Sequence, residues 1–252
     1  MFNFFVDAKA RKQNRFVISG QDYNHIKNVL RMNEGNTLLV SCEGVSHLCR
    51  IEGFMGETAL AEIIEENYKD SELKIKLYLF QGLPKSDKME LIIQKAVELG
   101  VSAVVPVEMN RCVVKLDQKK KKSKTERWQA IAESAAKQSK RNVVPEIYMP
   151  MSYNEALELA SSLDVTLIPY ENARGMTATK EALEQLKSGQ SVGIFIGPEG
   201  GFEESEIERA IKLGGQTISL GERILRTETA AITAVGMCML YTEMNLTGEE
   251  EK

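Results

Sequence analysis

The sequence is poor in several features that mark large classes of proteins. Its 252 residues include one tryptophan, two histidines and four cysteines. The cysteines, at positions 42, 49, 112 and 238, form no C-x-x-C pair, which is typical of reduced thiols in a cytoplasmic protein. No apolar run approaches the length of a membrane-spanning helix. The stretch MFNFFVDAKARK has its aromatic residues before its basic ones, the wrong order for a secretory signal. We therefore predict a cytoplasmic protein without a membrane partner.

Metal ligands and a strong overall charge are lacking as well. Cys42, His47 and Cys49 match no zinc spacing and have no fourth ligand, so we expect no metal. The formal net charge of −4 gives no global sign of nucleic-acid binding, and local charge must decide that question. What is present is 43% hydrophobic residues, enough for a substantial core.

The first 70 residues are predicted to be rich in β-strands. Five short, partly alternating runs separated by Gly, Asn and Glu predict a small barrel, at 2–6, 15–18, 37–41, 45–51 and 58–65. Asp22 could cap one helix, 23–30, that interrupts the barrel. The polar stretch 65–71 breaks the pattern, so we predict two domains, 1–70 and 71–252.

The remainder alternates between strands and helices, which predicts an α/β domain. Apolar runs predict strands at 74–80, 102–107, 165–169, 192–196 and 217–220. Helical spacing follows at 89–99, 125–138, 153–161, 181–186, 203–213 and 230–243. The strand that ends at Pro169 is expected to lie beside the strand that ends at Ile196.

A glycine-rich loop, 197–201, joins the strand 192–196 to the next helix. Glycine lets the backbone turn sharply and lets a ligand approach the main chain closely. Open α/β sheets bind ligands at such carboxyl ends of strands, although an ordinary tight connection is the alternative. The loop is neither G-x-G-x-x-G nor G-x-x-x-x-G-K-S/T, so dinucleotide and phosphate binding are not indicated. Glu199 would repel a polyanion, and a ligand with a cationic or neutral reacting centre fits better.

A second loop, 220–229, is unusual because it places Arg223 and Arg226 inside a connection between a strand and a helix. An arginine there must pair with a neighbouring glutamate or receive an anionic partner. Thr227 or Thr229 could cap the final helix. We favour a functional role for Arg226, because two ligand-type loops follow neighbouring strands.

Basic residues concentrate in two regions of this acidic chain. One cluster lies between Lys9 and Arg31, and the other lies between Arg111 and Arg127. Such clusters are either solvated surface or elements that bind nucleic-acid phosphates, which add affinity without sequence information.

Two motifs together resemble the SPOUT class of methyltransferases: IGPEGGF at 196–202 and LGERILRTETA at 220–230. The chain is most similar to the bacterial 16S ribosomal RNA uracil-N3 methyltransferases. Supporting stretches are HIKNVLR at 25–31, PKSDKME at 84–90, and RCVV at 111–114 with QSKR at 138–141. The resemblance covers nearly the whole chain.

The resemblance implies an α/β methyltransferase domain with a deep trefoil knot, preceded by a PUA-like β-barrel that binds RNA. It further implies S-adenosylmethionine as the cofactor, a homodimer, and methylation of N3 of a uracil in 16S RNA of the small ribosomal subunit. One alternative is a SPOUT methyltransferase that acts on tRNA or on a ribose hydroxyl. Another is a non-catalytic RNA-binding assembly factor, and a third is a small-molecule α/β enzyme.

Roles for individual residues follow from the resemblance for the cofactor-binding positions, and from residue chemistry and local charge for the others. Arg226 and Glu199 are expected to be catalytic, with Arg226 stabilising a uracil anion, while Glu199, Glu228 and solvent are all open as proton acceptors. The expected cofactor-binding residues are Tyr170, Glu171, Ile196, Gly197, Pro198, Glu199, Gly200, Gly201, Leu220, Gly221, Ile224, Leu225 and Thr229. The expected RNA-binding residues are Arg11, Lys12, Arg15, His25, Arg31, Arg111, Lys115, Lys140 and Arg141.

Overall fold

The computed structural model describes residues 1–170 and 175–246, and the chain forms two compact units. The first unit comprises Met1–Glu72 together with Ala136–Val144. The second comprises Leu73–Ala135 and the chain from Pro145 onward. Each unit has its own sheet.

Six strands form the sheet of the first unit. They are β1 (Asn3–Val6), β2 (Arg11–Lys12), β3 (Arg15–Ser19), β4 (Thr37–Cys42), β5 (Val45–Met55) and β6 (Thr58–Glu65). The strand order is β1-β4-β5-β6-β3-β2, and β1 pairs with β4 in parallel while the other pairings are antiparallel. Alternating residues such as Phe16 and Ile18 are buried on one face and build the core. The predicted β-rich N-terminal region is confirmed.

The helix of the first unit starts earlier than its pattern predicts. Helix α1 spans Gly20–Asn24 and continues as a π-helical turn, His25–Val29. Ser19 occupies the N-cap position. The prediction that Asp22 caps the helix is therefore wrong: Asp22 lies inside it, and its carboxylate accepts a hydrogen bond from Lys137 Nζ at 3.1 Å.

The segment Ala136–Val144 is fastened to the first unit by buried polar contacts. Asn3 Nδ2 donates to the carbonyl of Arg141 at 2.9 Å, and Ser41 Oγ donates to the same oxygen at 3.4 Å. Glu72 Oε1 accepts from the backbone N–H of Asn142 at 2.9 Å, and its carboxylate also pairs with the Arg141 guanidinium. Buried polar groups that are all paired make this segment an integral part of the unit.

The second unit is a parallel α/β sheet. Its strands are β7 (Lys76–Gly82), β8 (Ala103–Glu108), β9 (Glu146–Ile147), β10 (Met151–Ser152), β11 (Val165–Pro169), β12 (Ser191–Ile196) and β13 (Gln216–Ile218). The helices that begin in this unit are α2 (Lys88–Glu98), α3 (Gln118–Ser139), α4 (Tyr153–Ser161), α5 (Gly175–Glu184), α6 (Glu204–Lys212) and α7 (Thr227–Asn245). The order is β10-β8-β7-β12-β11-β13, with β9 beside β8.

The central strands are apolar on both sides. In a parallel sheet the connecting helices cover both faces, so the side chains on each face are buried. Phe80 in β7 and Phe195 in β12 stack with ring centroids 4.4 Å apart and are fully buried. Strand β11 pairs with β12, so the predicted neighbourhood of their two ends is confirmed, as is the α/β class. Across the described residues, we find no helix with the length and apolarity needed to cross a bilayer.

Candidate active site

Four adjacent parallel strands direct their carboxyl ends to one edge of the second unit's sheet. In spatial order they are β7, β12, β11 and β13. The segments that follow them therefore share this edge, which is where α/β sheets form ligand sites. They begin at Leu83, Gly197, Tyr170 and Ser219.

The loop after β12, residues 197–203, is fixed by a hydrogen-bond chain through the first residue of α7. Thr227 Oγ1 donates to the Gly197 carbonyl at 2.7 Å and accepts from Gln81 Nε2 at 2.9 Å. Gln81 Nε2 also donates to the Gly82 carbonyl at 2.9 Å. Gln81 and Thr227 are buried, so these bonds are shielded from water. The end of β7, the loop and the start of α7 thus form one connected support.

Close packing fixes the same loop from its sides. A Cβ atom on Gly82 would lie 2.7 Å from the backbone nitrogen of Pro198, so only glycine fits beside the loop. Arg111 Nη1 donates to the Gly200 carbonyl at 2.9 Å. Gly201 has φ +69°, and a Cβ atom on it would meet no other atom within 4 Å, which leaves the turn open on that side. A ligand can therefore approach the backbone of this loop on the side of Gly201.

An ammonium group links the two loops of the site. Lys88 Nζ lies 3.2 Å from Glu199 Oε1 and 3.1 Å from Glu228 Oε2. Glu199 Oε1 also accepts from the backbone N–H of Lys85 at 3.0 Å. Hydrogen bonds to Glu228 and then to Glu199 raise the pKa of Lys88. All three groups are therefore charged at neutral pH.

The pKa values of both carboxylates lie below the usual range. Partial burial acts to raise the pKa of Glu199, but hydrogen bonds from its own N–H and that of Lys85, together with Lys88, outweigh it. For Glu228, burial is likewise outweighed by its own backbone N–H, by Lys88 and by the charge of Arg226. Two carboxylates stabilised as anions are weak proton acceptors.

The second loop, 219–226, is held at its start and open at its tip. Thr179 Oγ1 donates to the Ser219 carbonyl at 2.7 Å and accepts from its N–H at 2.9 Å. Ile224 is 90% exposed, an unusual position for an apolar side chain. The exposed Arg226 side chain has no hydrogen bond or ion pair within the described chain. Arg226, rather than either threonine, occupies the N-cap position of α7, so the predicted threonine cap is wrong.

The predicted cofactor-binding residues that the structure describes lie at or after the carboxyl ends of three adjacent strands, β11, β12 and β13. Tyr170 directly follows β11, and its N–H donates to the Ile218 carbonyl at 3.0 Å. Glu171 lies outside the described residues. Ile196 ends β12 and is buried. The remaining members lie in the loop after β12 or between β13 and the first turn of α7: Gly197, Pro198, Glu199, Gly200, Gly201, Leu220, Gly221, Ile224, Leu225 and Thr229.

The predicted RNA-binding residues are less uniform. In the first unit, Arg11 pairs with Glu66, and Arg15 Nη1 lies 3.2 Å from Glu52 Oε2. The His25 ring packs edge-on against Phe4, with centroids 5.9 Å apart. Arg11 and Arg15 are exposed despite these pairings, and the other exposed members are Lys12, Arg31, Lys140, Arg111 and Lys115.

Arg141 differs from the rest of that set. Its side chain is 4% exposed and is paired with Glu72, which is the arrangement of a structural residue. An RNA surface therefore has to be built from the other basic residues.

Sequence reasoning missed two residues of the support, Gln81 and Lys88. Gln81 is a polar residue at the end of the apolar run that forms β7, and a buried glutamine there requires partners. Lys88 lies in the PKSDKME stretch, which supports the family resemblance but indicates no role for this lysine. The bridge to Glu199 and Glu228 spans residues far apart in the chain, and no local pattern reveals it.

A parallel sheet whose neighbouring strand ends carry two ligand-type loops defines the site of an α/β enzyme. The chain belongs to the RNA methyltransferase family. The family model described as "RNA methyltransferase domain" matches residues 71–239, and that of the "RNA methyltransferase PUA domain" matches residues 18–64. The PUA-like and methyltransferase parts of the predicted fold are thereby confirmed.

Individual relatives agree with the family assignment. The chain is 41% identical over 233 residues to a ribosomal RNA small subunit methyltransferase E of Bacillus subtilis, which covers 91% of each chain. It is 38% identical to the protein of the same name from Mesomycoplasma hyopneumoniae, with 95% and 99% covered. A crystal structure of the Neisseria gonorrhoeae enzyme of this name bound to S-adenosyl methionine has a TM-score of 0.80 and 31% identity, with 95% and 97% covered.

Proposed function

We propose that the protein transfers a methyl group from S-adenosylmethionine to N3 of a uracil in the RNA of the small ribosomal subunit. Support comes from relatives that are named small-subunit RNA methyltransferases, one of them bound to this cofactor. The observation that carries the proposal is the pair of loops at one sheet edge: one is rigidly held, and the other presents the unpartnered Arg226.

The residues of the site fit the cofactor. The backbone of residues 197–201 is open beside Gly201, and Glu199 offers a negative charge suited to a sulfonium. We assign cofactor binding to Tyr170, to Glu171, and to the members of the two loops named above. When bound, S-adenosylmethionine supplies an electrophilic methyl group.

Arg226 is the residue to which we assign the stabilisation of charge on the substrate. The imide nitrogen of uracil becomes a good nucleophile when it loses its proton, and the resulting anion needs a fixed positive partner. Arg226 has no competing carboxylate within ion-pair distance in the described chain, although its charge acts on Glu228. A guanidinium at the start of α7 is therefore available for this anion.

Glu199 is assigned to the site as an electrostatic residue. Its lowered pKa and its contacts with Lys85 and Lys88 make it a weak base. Glu228 shares Lys88 and has a lowered pKa as well. Of the three open proton acceptors, solvent therefore fits best. N3 would lose its proton to water, and the anion beside Arg226 would then accept the methyl group, whose bond to the sulfonium sulfur would break.

We further propose that the first unit binds RNA and that the protein acts as a homodimer with a knotted second unit in the cytoplasm. The RNA-binding residues of the first unit would be Arg11, Lys12, Arg15, His25, Arg31 and Lys140, and the second unit would contribute Arg111 and Lys115. Paired arginines such as Arg15 can exchange their carboxylate for a phosphate, because exposed ion pairs are weak, about 0–1 kcal/mol.

Methyl transfer from radiolabelled S-adenosylmethionine to small subunits that lack the modification tests the function. We expect label in the RNA, and nucleoside analysis should identify 3-methyluridine. Label on a ribose or in tRNA would show that the proposed substrate is wrong and favour the alternative methyltransferase. Cofactor binding without label on any RNA would favour the non-catalytic assembly factor.

A further inference from the structure

The second unit contains a cavity of about 200 Å³ that the candidate active site does not use. Its lining mixes apolar and polar side chains, and Trp128, at 3% exposed, is the largest of them. Among the lining residues are Ser86, Asp87, Glu90, Val114, Lys124 and Trp128. Pockets for drug-sized ligands are roughly 300–1,000 Å³, so this cavity suits a smaller group.

Unpartnered polar groups lie in the lining. The Ser86 hydroxyl and the Asp87 carboxylate have no hydrogen bond or ion pair within the described chain, and both residues are exposed. Glu90, in contrast, is paired with Arg127 at 2.7 Å. Ser86 also has φ +55°, an unfavourable conformation for a residue other than glycine. Backbone strain of this kind clusters at functional sites.

Positive charge lies next to this cavity. Lys124 lines it, with its ammonium 5.7 Å from the centre of the Trp128 ring. Other lysines of the same helix do not contribute, because Lys121 is paired with Glu108, and Lys119 and Lys122 do not line the cavity. A cavity lined by an aromatic side chain and a lysine is complementary to a nucleotide, whose base is flat and whose phosphate is anionic.

The cavity is distinct from the ligand loops. Lys85 and Lys88, which hold Glu199, do not line it, although they lie in the same segment, 83–90. Some residues of this segment thus support the cofactor loops, and others form the cavity. A base in the cavity would therefore be a different base from the one presented to Arg226.

We propose that this cavity binds one unstacked base of the RNA substrate other than the base that is methylated. The inference rests on the proposed function, because it takes the substrate to be RNA. Proteins that recognise RNA commonly hold unstacked bases against aromatic side chains and bond their edges. Asp87 accepts hydrogen bonds, so the cavity prefers a base that presents ring N–H or amino groups.

Trp128, as the single tryptophan of the chain, reports on the cavity directly. The probe is a short single-stranded RNA of mixed sequence, compared with an abasic strand of the same length and charge. We expect saturable quenching of the Trp128 fluorescence by the RNA and none by the abasic strand. Equal quenching by both strands would mean that phosphates alone are bound, which would overturn the proposal.

Val114→Phe fills the cavity, and Val113→Phe is its matched control, because Val113 is 69% exposed and outside the lining. We expect the first variant to bind the RNA about tenfold more weakly or worse, and the control to bind as the wild type does. Asp87→Asn changes no volume and should alter the preference among bases. Retained cofactor affinity will verify that each variant is folded.

The failure of this inference is separable from the failure of the proposed function. Unchanged RNA affinity, quenching and methyl transfer in Val114→Phe would overturn the cavity assignment and leave the methyltransferase intact. The opposite result is also possible. If Val114→Phe abolishes base-dependent quenching but the wild type methylates no RNA, the cavity assignment is supported and the proposed methyltransferase function is wrong.

Discussion

The two loops of the candidate site differ in how firmly the protein holds them. The loop after β12 is tied by Thr227, Lys85, Lys88 and Arg111, and it packs against Gly82 with no room for a methyl group. The loop before α7 is tied mainly at Ser219, and beyond it come the exposed Ile224 and Arg226.

This difference indicates a division of labour. A loop held by buried bonds keeps its shape before any ligand arrives, which lowers the entropic cost of binding. A loop whose arginine lacks a partner offers a positive charge that an anionic ligand can pair with. The first loop is thus the preorganised part of the site, and the second is the part that responds to substrate.

Arg226→Ala should have the largest effect, because it removes the unpartnered charge. We expect the methyl-transfer rate to fall about 10²–10³-fold, as for the loss of one transition-state donor, while cofactor affinity is kept. Arg223→Ala is the control, since Arg223 is an exposed arginine in the same loop. Radiolabel transfer and isothermal titration with the cofactor measure the two quantities. A similar loss in both variants would argue against a specific role for Arg226.

Gly82→Ala tests the close packing behind the held loop. The new Cβ would meet the backbone of Pro198, which cannot rotate away, so we expect a cost near the upper end of overpacking, about 3 kcal/mol. Urea denaturation measures this loss of stability, and cofactor affinity should fall too. Gly53→Ala is the control, because nothing lies within 4 Å of its Cβ position. Wild-type stability in Gly82→Ala would show that the loop yields easily.

Thr227→Val breaks the hydrogen-bond chain while keeping the shape of the side chain. The Gly197 carbonyl and a Gln81 N–H lose their partner in a buried setting, at a cost of about 1–3 kcal/mol. Thr233→Val, at an exposed position of α7, should be close to neutral. Thermal unfolding with and without cofactor compares the two. If Thr227→Val unfolds at the same temperature as the wild type, these hydrogen bonds do not stabilise the loop.

Lys88→Met should have the smallest effect, and that effect should depend on pH. The pKa values of Glu199 and Glu228 are depressed, so their pairing with Lys88 is present above the carboxylates' ordinary pKa and is lost as pH falls through the folded values. The Tm difference between wild type and variant should therefore shrink towards acidic pH. Lys95→Met, which removes a partly buried pair within α2, serves as the control. A constant difference from pH 7 down to acid would contradict the assigned pairing.

Much of the fold follows from local pattern. The buried strands β7, β11 and β12 are continuous apolar runs, and both loops are marked by glycine or by arginine in an apolar context. These patterns involve residues that are close together in the chain, so they can be recognised from the sequence. The class, the order of β11 beside β12, and the resemblance are confirmed.

The support of the site was not predictable, because it joins distant positions. Gln81 meets Thr227 across 146 residues, and Lys85 meets Glu199 across 114. Arg141 looked like an RNA ligand from its basic neighbours, yet a carboxylate 69 residues away holds it in the interior. Periodicity cannot report such pairs, since it describes one element at a time.

The segment Ala136–Val144 has a consequence for how the chain is made. The first unit contains Met1–Glu72, but Asn3, Ser41 and Glu72 complete their hydrogen bonds only with Arg141 and Asn142. On the ribosome, another 72 residues, from position 73 to position 144, must be added first. At about 5–20 residues per second that is a wait of about 4–14 s. The N-terminal unit is thus the first to be synthesised and cannot be the first to be finished.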